Sequence, residues 1–223
     1  MTRSVRFYII GSMEIIWYGH SCFRLRGRDA TVITDPCPPS TGYKIGKLAA
    51  DVVTISHDAP EHSYRQAITG TPKFLTGPGE FDIAGVLFAG VRTRRGEDEE
   101  ASGRNVAFVV DIDDIRVCHL GDLKQVPHTD VVEQLGSADI LLVPVGGGPT
   151  LDARAAAEAV SLLEPKLVVP MRYKTASSVA DVEGVERFLK EMGVEAKAPE
   201  ARLNITKSQV PADTAVVVLE HRG

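Results

Sequence analysis

The chain has 223 residues, 43% of them hydrophobic and 25% charged, and its 25 basic and 30 acidic side chains leave a formal charge of -5. This is the make-up of a soluble globular protein with room for one large domain or two small ones. Its mild acidity and lack of a basic run exclude nucleic-acid binding through overall charge, and no apolar run approaches the roughly 18 residues of a membrane span.

The N-terminal "MTRSVRFYIIGS" has an apolar run too short for a secretory h-region of about 7–15 residues. Residues 1–12 read as an extension, and the domain as beginning at Met13 and running to residue 223. "EIIWYG", "CFRLRG", "TVITD" and "DVVTIS" follow as short alternating or β-branched strands between turn residues. Then come "KFLTG", "EFDI" and "VLFAGVRT", and after a charge-rich loop at 94–104 a hairpin, "NVAFVVDIDDIRVCHLGD", turning at Asp113 and Asp114. From there helices alternate with buried strands. "DVVEQLG", "LDARAAAEAVSLLE" and "VEGVERFLKEMG" read as helices, "DILLVPV" and "KLVVP" as strands, and "TAVVVLEH" as a closing strand. Two strand-rich halves that each carry helices predict an α/β fold, an αββα sandwich.

Cys22, Cys37 and Cys118 are odd in number and form no C-x-x-C pair. That pattern predicts a reduced, cytoplasmic protein with no catalytic thiol.

Polar clusters sit where strands end: "GHSC" with His20, "TDP" with Asp35, "SHDAPEH", "VRTRRG" with Arg94 and Arg95, "CHLGD" with His119 and Asp122, "PVGGGPT", and "PMRYKT" with Arg172. Singly each is an ordinary turn or cap, and "GGGPT" ahead of a helix is an unspecific candidate for an anion cradle. In this order they resemble the metallo-β-lactamase superfamily, and within it the branch of metal-dependent hydrolases similar to ascorbate-6-phosphate lactonase. The resemblance implies an αββα fold with a metal site at one edge and hydrolysis of a lactone, ester, amide or phosphodiester by metal-activated water.

Carried over residue by residue, the resemblance also implies a degraded site. The family's His-x-His-x-Asp-His loop matches at His57 and His62, with Ala59 in place of its middle histidine and Glu61 in place of its aspartate. A further histidine falls at Arg95, or Arg94, and the last at Arg172, while the bridging aspartate is kept as Asp122. Arginine has no lone pair to give a metal. The first expectation is therefore a homologue with no cofactor, catalytically inactive or binding an anionic small molecule. In it Arg95 and Arg172 replace the metal, Tyr173 lines the cleft, and His20 and Asp35 stand behind, orienting ligands or bound water or making a turn hydrogen bond. Arg172 is expected within hydrogen-bonding distance of Asp122 or Glu61. The alternative is a hydrolase with one zinc or manganese ion held by His57 or His62, Glu61 and Asp122, His57 and Asp122 being its catalytic residues. A third reading makes His57, His62 or His119 a metal-free general base, although His119 reads first as a packed or hydrogen-bonded histidine. Trp17 and Tyr18 are assigned to the core.

Overall fold

The computed structural model describes residues 11–93 and 105–222. Residues 1–10, with most of the expected extension, and Arg94 and Arg95 lie outside the described residues.

The first half contributes β1 (Met13–Gly19), β2 (Cys22–Arg26), β3 (Thr31–Thr34), β4 (Leu48–Ala49), β5 (Val52–Thr54), β6 (Ile68–Thr69), β7 (Lys73–Leu75), β8 (Gly79–Ile83) and β9 (Val86–Thr93). The second contributes β10 (Asn105–Ile112), β11 (Ile115–His119), α1 (Thr129–Leu135), β12 (Ile140–Pro144), α2 (Ala153–Leu163), β13 (Leu167–Met171), α3 (Val185–Glu191), β14 (Leu203–Ile205) and β15 (Ala215–Val216). One sheet runs β14-β1-β2-β3-β5-β7 and the other β15-β13-β12-β11-β10-β9-β8. This is the expected two-sheet sandwich. Its outer layers differ: α2 packs beside β12 and against α3, whereas the outer face of the six-stranded sheet is covered by residues 37–68 and the small β4-β6 sheet. There Tyr43, Ile45, Leu48 and Ala67 pack on Ile16, Tyr18, Ile33 and Val53.

Local chemistry explains these elements. The β10–β11 hairpin turns on Asp113 and Asp114 at φ 51 and 63, the left-handed pair of a type I′ turn that acidic residues tolerate. Asp152 caps α2 by accepting from the Ala155 amide, and Ala153, Ala156, Val160 and Leu163 form its buried stripe. Between the sheets, Trp17, Phe23, Phe108 and Ile115 are almost wholly buried. The short closing strand β15 is only two residues long, because the chain leaves the ladder after Val216 and returns for a single bridge from Leu219 to Glu200.

Direction positions the site. β3, β5 and β7 are parallel in one sheet, as are β11, β12, β13 and β15 in the other. Loops that leave their carboxyl ends gather at one edge, the usual place for a ligand in such sheets. Three residues there have left-handed backbones: His20 at φ 53, in the two-residue turn between β1 and β2, Asp35 at φ 36 and Arg172 at φ 58. Strain of this kind collects at functional sites.

Phe108→Ala should cost about 3–5 kcal/mol by opening a cavity between the sheets. Urea unfolding of the variant measures the loss.

Candidate metal centre

The site is built outward from Asp35. It is fully buried at the end of β3, where it accepts hydrogen bonds from the Ser56 amide at 2.7 Å and from the Ser56 hydroxyl. Its Oδ2 also lies 2.7 Å from His62 Nδ1. Burial alone would raise its pKa, but His62 and Ser56 outweigh burial and hold the carboxyl below the usual range. A carboxylate here requires the His62 proton on Nδ1, so the Nε2 lone pair faces the cavity. This is the arrangement that orients a metal-ligating histidine.

Asp122 approaches from the other sheet. Its amide donates to Asn105 Oδ1 at 2.8 Å, and the Asn105 side-chain amide is fixed by Thr93 Oγ1 and the Leu120 carbonyl. Gly121, at φ 63, lets the chain pass where a Cβ would overlap Ser56 and Asn105. His57, His62 and Asp122 each offer a ligand atom, and these atoms all lie within 4.8 Å of one another. His62 Nε2 is 3.6 Å from Asp122 Oδ1, close to the about 3.4 Å between two ligands of a tetrahedral zinc with bonds near 2.0–2.2 Å. These donors fit one divalent ion. Among the described residues no second group of three comes together.

Arg172 enters the same space. Its Nη1 is 2.7 Å from His20 Nε2, 3.0 Å from His62 Nε2 and 3.3 Å from Asp122 Oδ1, with the side chain 8% exposed. The expected approach to Asp122 is therefore present. Its backbone is held by the bond from its amide to the His20 carbonyl and by Gly146, where a Cβ would overlap the Arg172 carbonyl oxygen. Two unit charges about 4 Å apart repel by roughly 4 kcal/mol at an effective dielectric near 20, and a divalent ion doubles that.

Protonation of His62 follows from the closest contacts. Burial lowers its pKa, but Asp35 and Asp122 overcome burial and the net direction is upward. A charged ring would donate Nε2–H to Asp122 across 3.6 Å, whereas a neutral ring accepts from Arg172 at 3.0 Å. The Arg172 contact is a hydrogen bond only when the ring is neutral. His20 is held well below its ordinary value by burial, then by Arg172 and His62, which suits its role as an acceptor from Arg172.

A cavity of about 490 Å³ opens over these groups, lined by His20, His57, Glu61, His62, Asp122 and Arg172, with Ser40, Thr41, Pro149 and Val179 among its walls. A larger groove of about 840 Å³ lies at the opposite end, beside Asp113 and Asp114, with no histidine among its described lining residues.

Several sequence expectations need revision. Tyr173 does not line the cavity: it is 6% exposed, packs 4.9 Å from the Trp17 ring and donates to the Leu219 carbonyl. The left-handed turn at Arg172 sends the next side chain into the core. Glu61 is exposed on the cavity wall, and its carboxylate is not among the converging ligand atoms. "GGGPT" is no anion cradle, because the Gly147 and Thr150 amides bond within the turn and Asp152 fills the α2 terminus. Asp35 stands behind His62, outside the cavity lining. His119 is fully buried with Nε2 3.0 Å from the Ser21 carbonyl, outside the cavity lining. All three thiols are free and buried, and burial pushes Cys37 to about 11 and Cys118 to about 12. Asn105 and Ser56 were missed; a lone polar residue opening an apolar strand was the only signal.

Known proteins share this fold. A family model described as a beta-lactamase superfamily domain matches residues 14–172. A UPF0173 protein of Pyrococcus furiosus is 30% identical over 195 residues, covering 79% of this chain and 90% of that one. A UPF0173 metal-dependent hydrolase of Thermoplasma acidophilum is 24% identical over 217 residues, covering 85% and 96%. A solved Thermotoga maritima structure, described as a candidate Zn-dependent hydrolase of the metallo-β-lactamase superfamily, is 36% identical with a TM-score of 0.80, covering 94% of this chain and all of that one.

The buried histidines set a pH response. Burial outweighs Asp35 and lowers His119 below its ordinary value. A depressed histidine contributes stability that is complete above the unfolded pKa of about 6.5 and is lost as pH falls below it. His20 adds to this loss and His62, shifted upward, opposes it. The melting temperature should therefore fall from pH 7.5 to 5.5, and fall less steeply in His119→Asn. Equal slopes for the two proteins would remove His119 as a cause.

Proposed function

The chain belongs to the metallo-β-lactamase superfamily, in its UPF0173 branch, and from that membership we propose that it is a hydrolase working with one divalent metal ion, zinc or manganese, held by His57, His62 and Asp122. One observation carries the reading. His62 presents an oriented lone pair 3.6 Å from an Asp122 oxygen, with Asp35 fixing the ring from behind. Three protein ligands leave a catalytic ion an open position. When bound, the ion supplies Lewis acidity that activates water and polarises the bond under attack.

The protein's own groups do the rest. Asp35 holds the His62 tautomer, and Asn105 fixes the backbone of Asp122. Arg172 and His20 bring positive charge and a hydrogen-bonding ring to the cavity floor, which favours a substrate with a carboxylate or phosphate beside its scissile bond. A small anionic lactone, ester or phosphodiester fits that description. Glu61, exposed on the cavity wall, disfavours a second anionic group on its side. The chain works without a membrane span in this reading; no helix among the described residues is long and apolar enough to cross one.

A second reading has its own support. The Arg172 contacts of 3.0 Å to His62 and 3.3 Å to Asp122 suit a permanent internal cation in a protein that binds an anion and hydrolyses nothing.

Elemental analysis and hydrolysis assays decide between them. One equivalent of metal per chain is expected, with a chelator-sensitive rate on anionic ester or lactone substrates that falls by at least about 100-fold in His57→Ala and Asp122→Asn. Protein with no metal and no turnover after incubation with zinc and manganese supports the second reading.

Asp35→Asn should weaken metal affinity roughly 10- to 100-fold, as loss of an orienting partner does. Competition against a fluorescent chelator reads it, and unchanged affinity would show that Asp35 serves the fold alone.

A further inference from the structure

A neutral imidazole has one acceptor lone pair. With the His62 proton on Nδ1 facing Asp35, that lone pair is on Nε2, and Arg172 Nη1 lies 3.0 Å from it. A metal ligated by His62 needs the same electrons. The guanidinium and the ion therefore exclude one another at this atom as a matter of valence, before charge repulsion is considered.

We infer that Arg172 is a built-in competitor for the metal: its guanidinium holds the His62 and Asp122 donors when no ion is bound, and turns into the cavity to receive the substrate's anionic group when an ion takes them. This rests on the one-metal reading above for the identity of the donors.

The surroundings restrict how the exchange happens. The Arg172 backbone is fixed at both ends of the residue. Its amide bonds the His20 carbonyl, which also accepts from Trp17 Nε1 at 3.1 Å, and its own carbonyl packs against Gly146. Only the side chain is left to move. The cavity beside it holds about 490 Å³, and its described walls at Ser40, Thr41, Pro149 and Val179 are uncharged. A guanidinium turned that way presents its planar fork to a carboxylate or phosphate. His20, an acceptor for Arg172 at 2.7 Å, keeps the guanidinium in its inward position and so favours the metal-free arrangement.

The consequence is a coupling between anion and metal. An anion that pairs with the outward guanidinium favours metal binding, and the metal favours the anion by the same factor. The site then loads fully only when both are present.

The test is zinc affinity of the full chain, measured by chelator competition, for the wild type, Arg172→Ala and Arg172→Met, with circular dichroism and thermal melts on each. Methionine keeps much of the packing, so one variant remains informative if alanine fails to fold. Removing the competitor should tighten zinc binding roughly 5- to 150-fold, the usual range of a coupling between sites. Zinc should also raise the melting temperature of the variants more than that of the wild type. The gain should disappear when His62→Ala is added to Arg172→Met. Sodium sulfate, as the anion probe, should tighten zinc binding to the wild type and leave Arg172→Met unaffected.

Folded variants that bind zinc no better than the wild type overturn the proposal, and a wild type that loads one zinc in that experiment leaves the one-metal reading standing. A wild type with no zinc and no turnover, beside variants that load it, supports the competition and removes the metal-dependent activity instead.

Discussion

The contact between Asp35 and His62 decides what this site is able to do. Both side chains are almost completely buried, at 2.7 Å from each other, and each shifts the other in the direction that favours the pair. Breaking a buried pair of this kind strands a charge and costs several kcal/mol. Its geometric effect matters more here than its energy. By accepting the bond from Nδ1–H, Asp35 makes the far side of the neutral ring a fixed acceptor. Whatever cation occupies the site must come to that acceptor. The two serine bonds on Asp35 prevent the carboxylate from rotating away, and the backbone that places it, at φ 36, is held by the bond from its own amide to the Thr54 carbonyl.

The scaffold supplies rigidity from two independent sheets. Asp35 and His62 follow strands of the six-stranded sheet; Asp122 and Arg172 follow strands of the seven-stranded one. Cross-links between them pass beneath the cavity: the Val106 amide bonds the Ser56 carbonyl, and His119 bonds the Ser21 carbonyl. The donors thus sit on opposite walls whose separation the packed core fixes, and a side chain of Arg172's length spans the gap. Sites on such supports keep their geometry without a ligand.

Much of this is legible in the sequence. Strand-end positions of His57, His62, Asp122 and Arg172 follow from alternating apolar runs and their punctuation, and the two-sheet architecture from the change in rhythm after Asp122. Other features depend on backbone angles that composition does not encode. Tyr173 reads as a cavity residue because it follows Arg172, yet the left-handed φ at Arg172 reverses the side on which it emerges. Glu61 reads as a ligand by its position in the loop, but it stays exposed where the chain turns from Ala59 to His62 through a bond between their backbones. Asn105 gives only a faint signal because its role is to hold an amide seventeen residues away. The small β4-β6 sheet is silent, since two-residue strands carry no period.

Three cations contend for one nitrogen. A proton on His62 Nε2 is favoured by Asp35 and Asp122, the guanidinium of Arg172 by proximity, and a divalent ion by the arrangement of His57 and Asp122. Each excludes the other two there, because the lone pair is single. Their ranking is set by what else is nearby. Acid favours the proton, as it does at any metal site whose ligands must be deprotonated. Tethering favours the guanidinium, which is attached to the chain and has no translational entropy to lose. An anion in the cavity favours the metal, because it gives the guanidinium another partner and offsets the repulsion between the two cations. Arg172 on its own therefore neither proves nor abolishes metal chemistry. It raises the threshold at which an ion is held, and it links that threshold to the contents of the cavity.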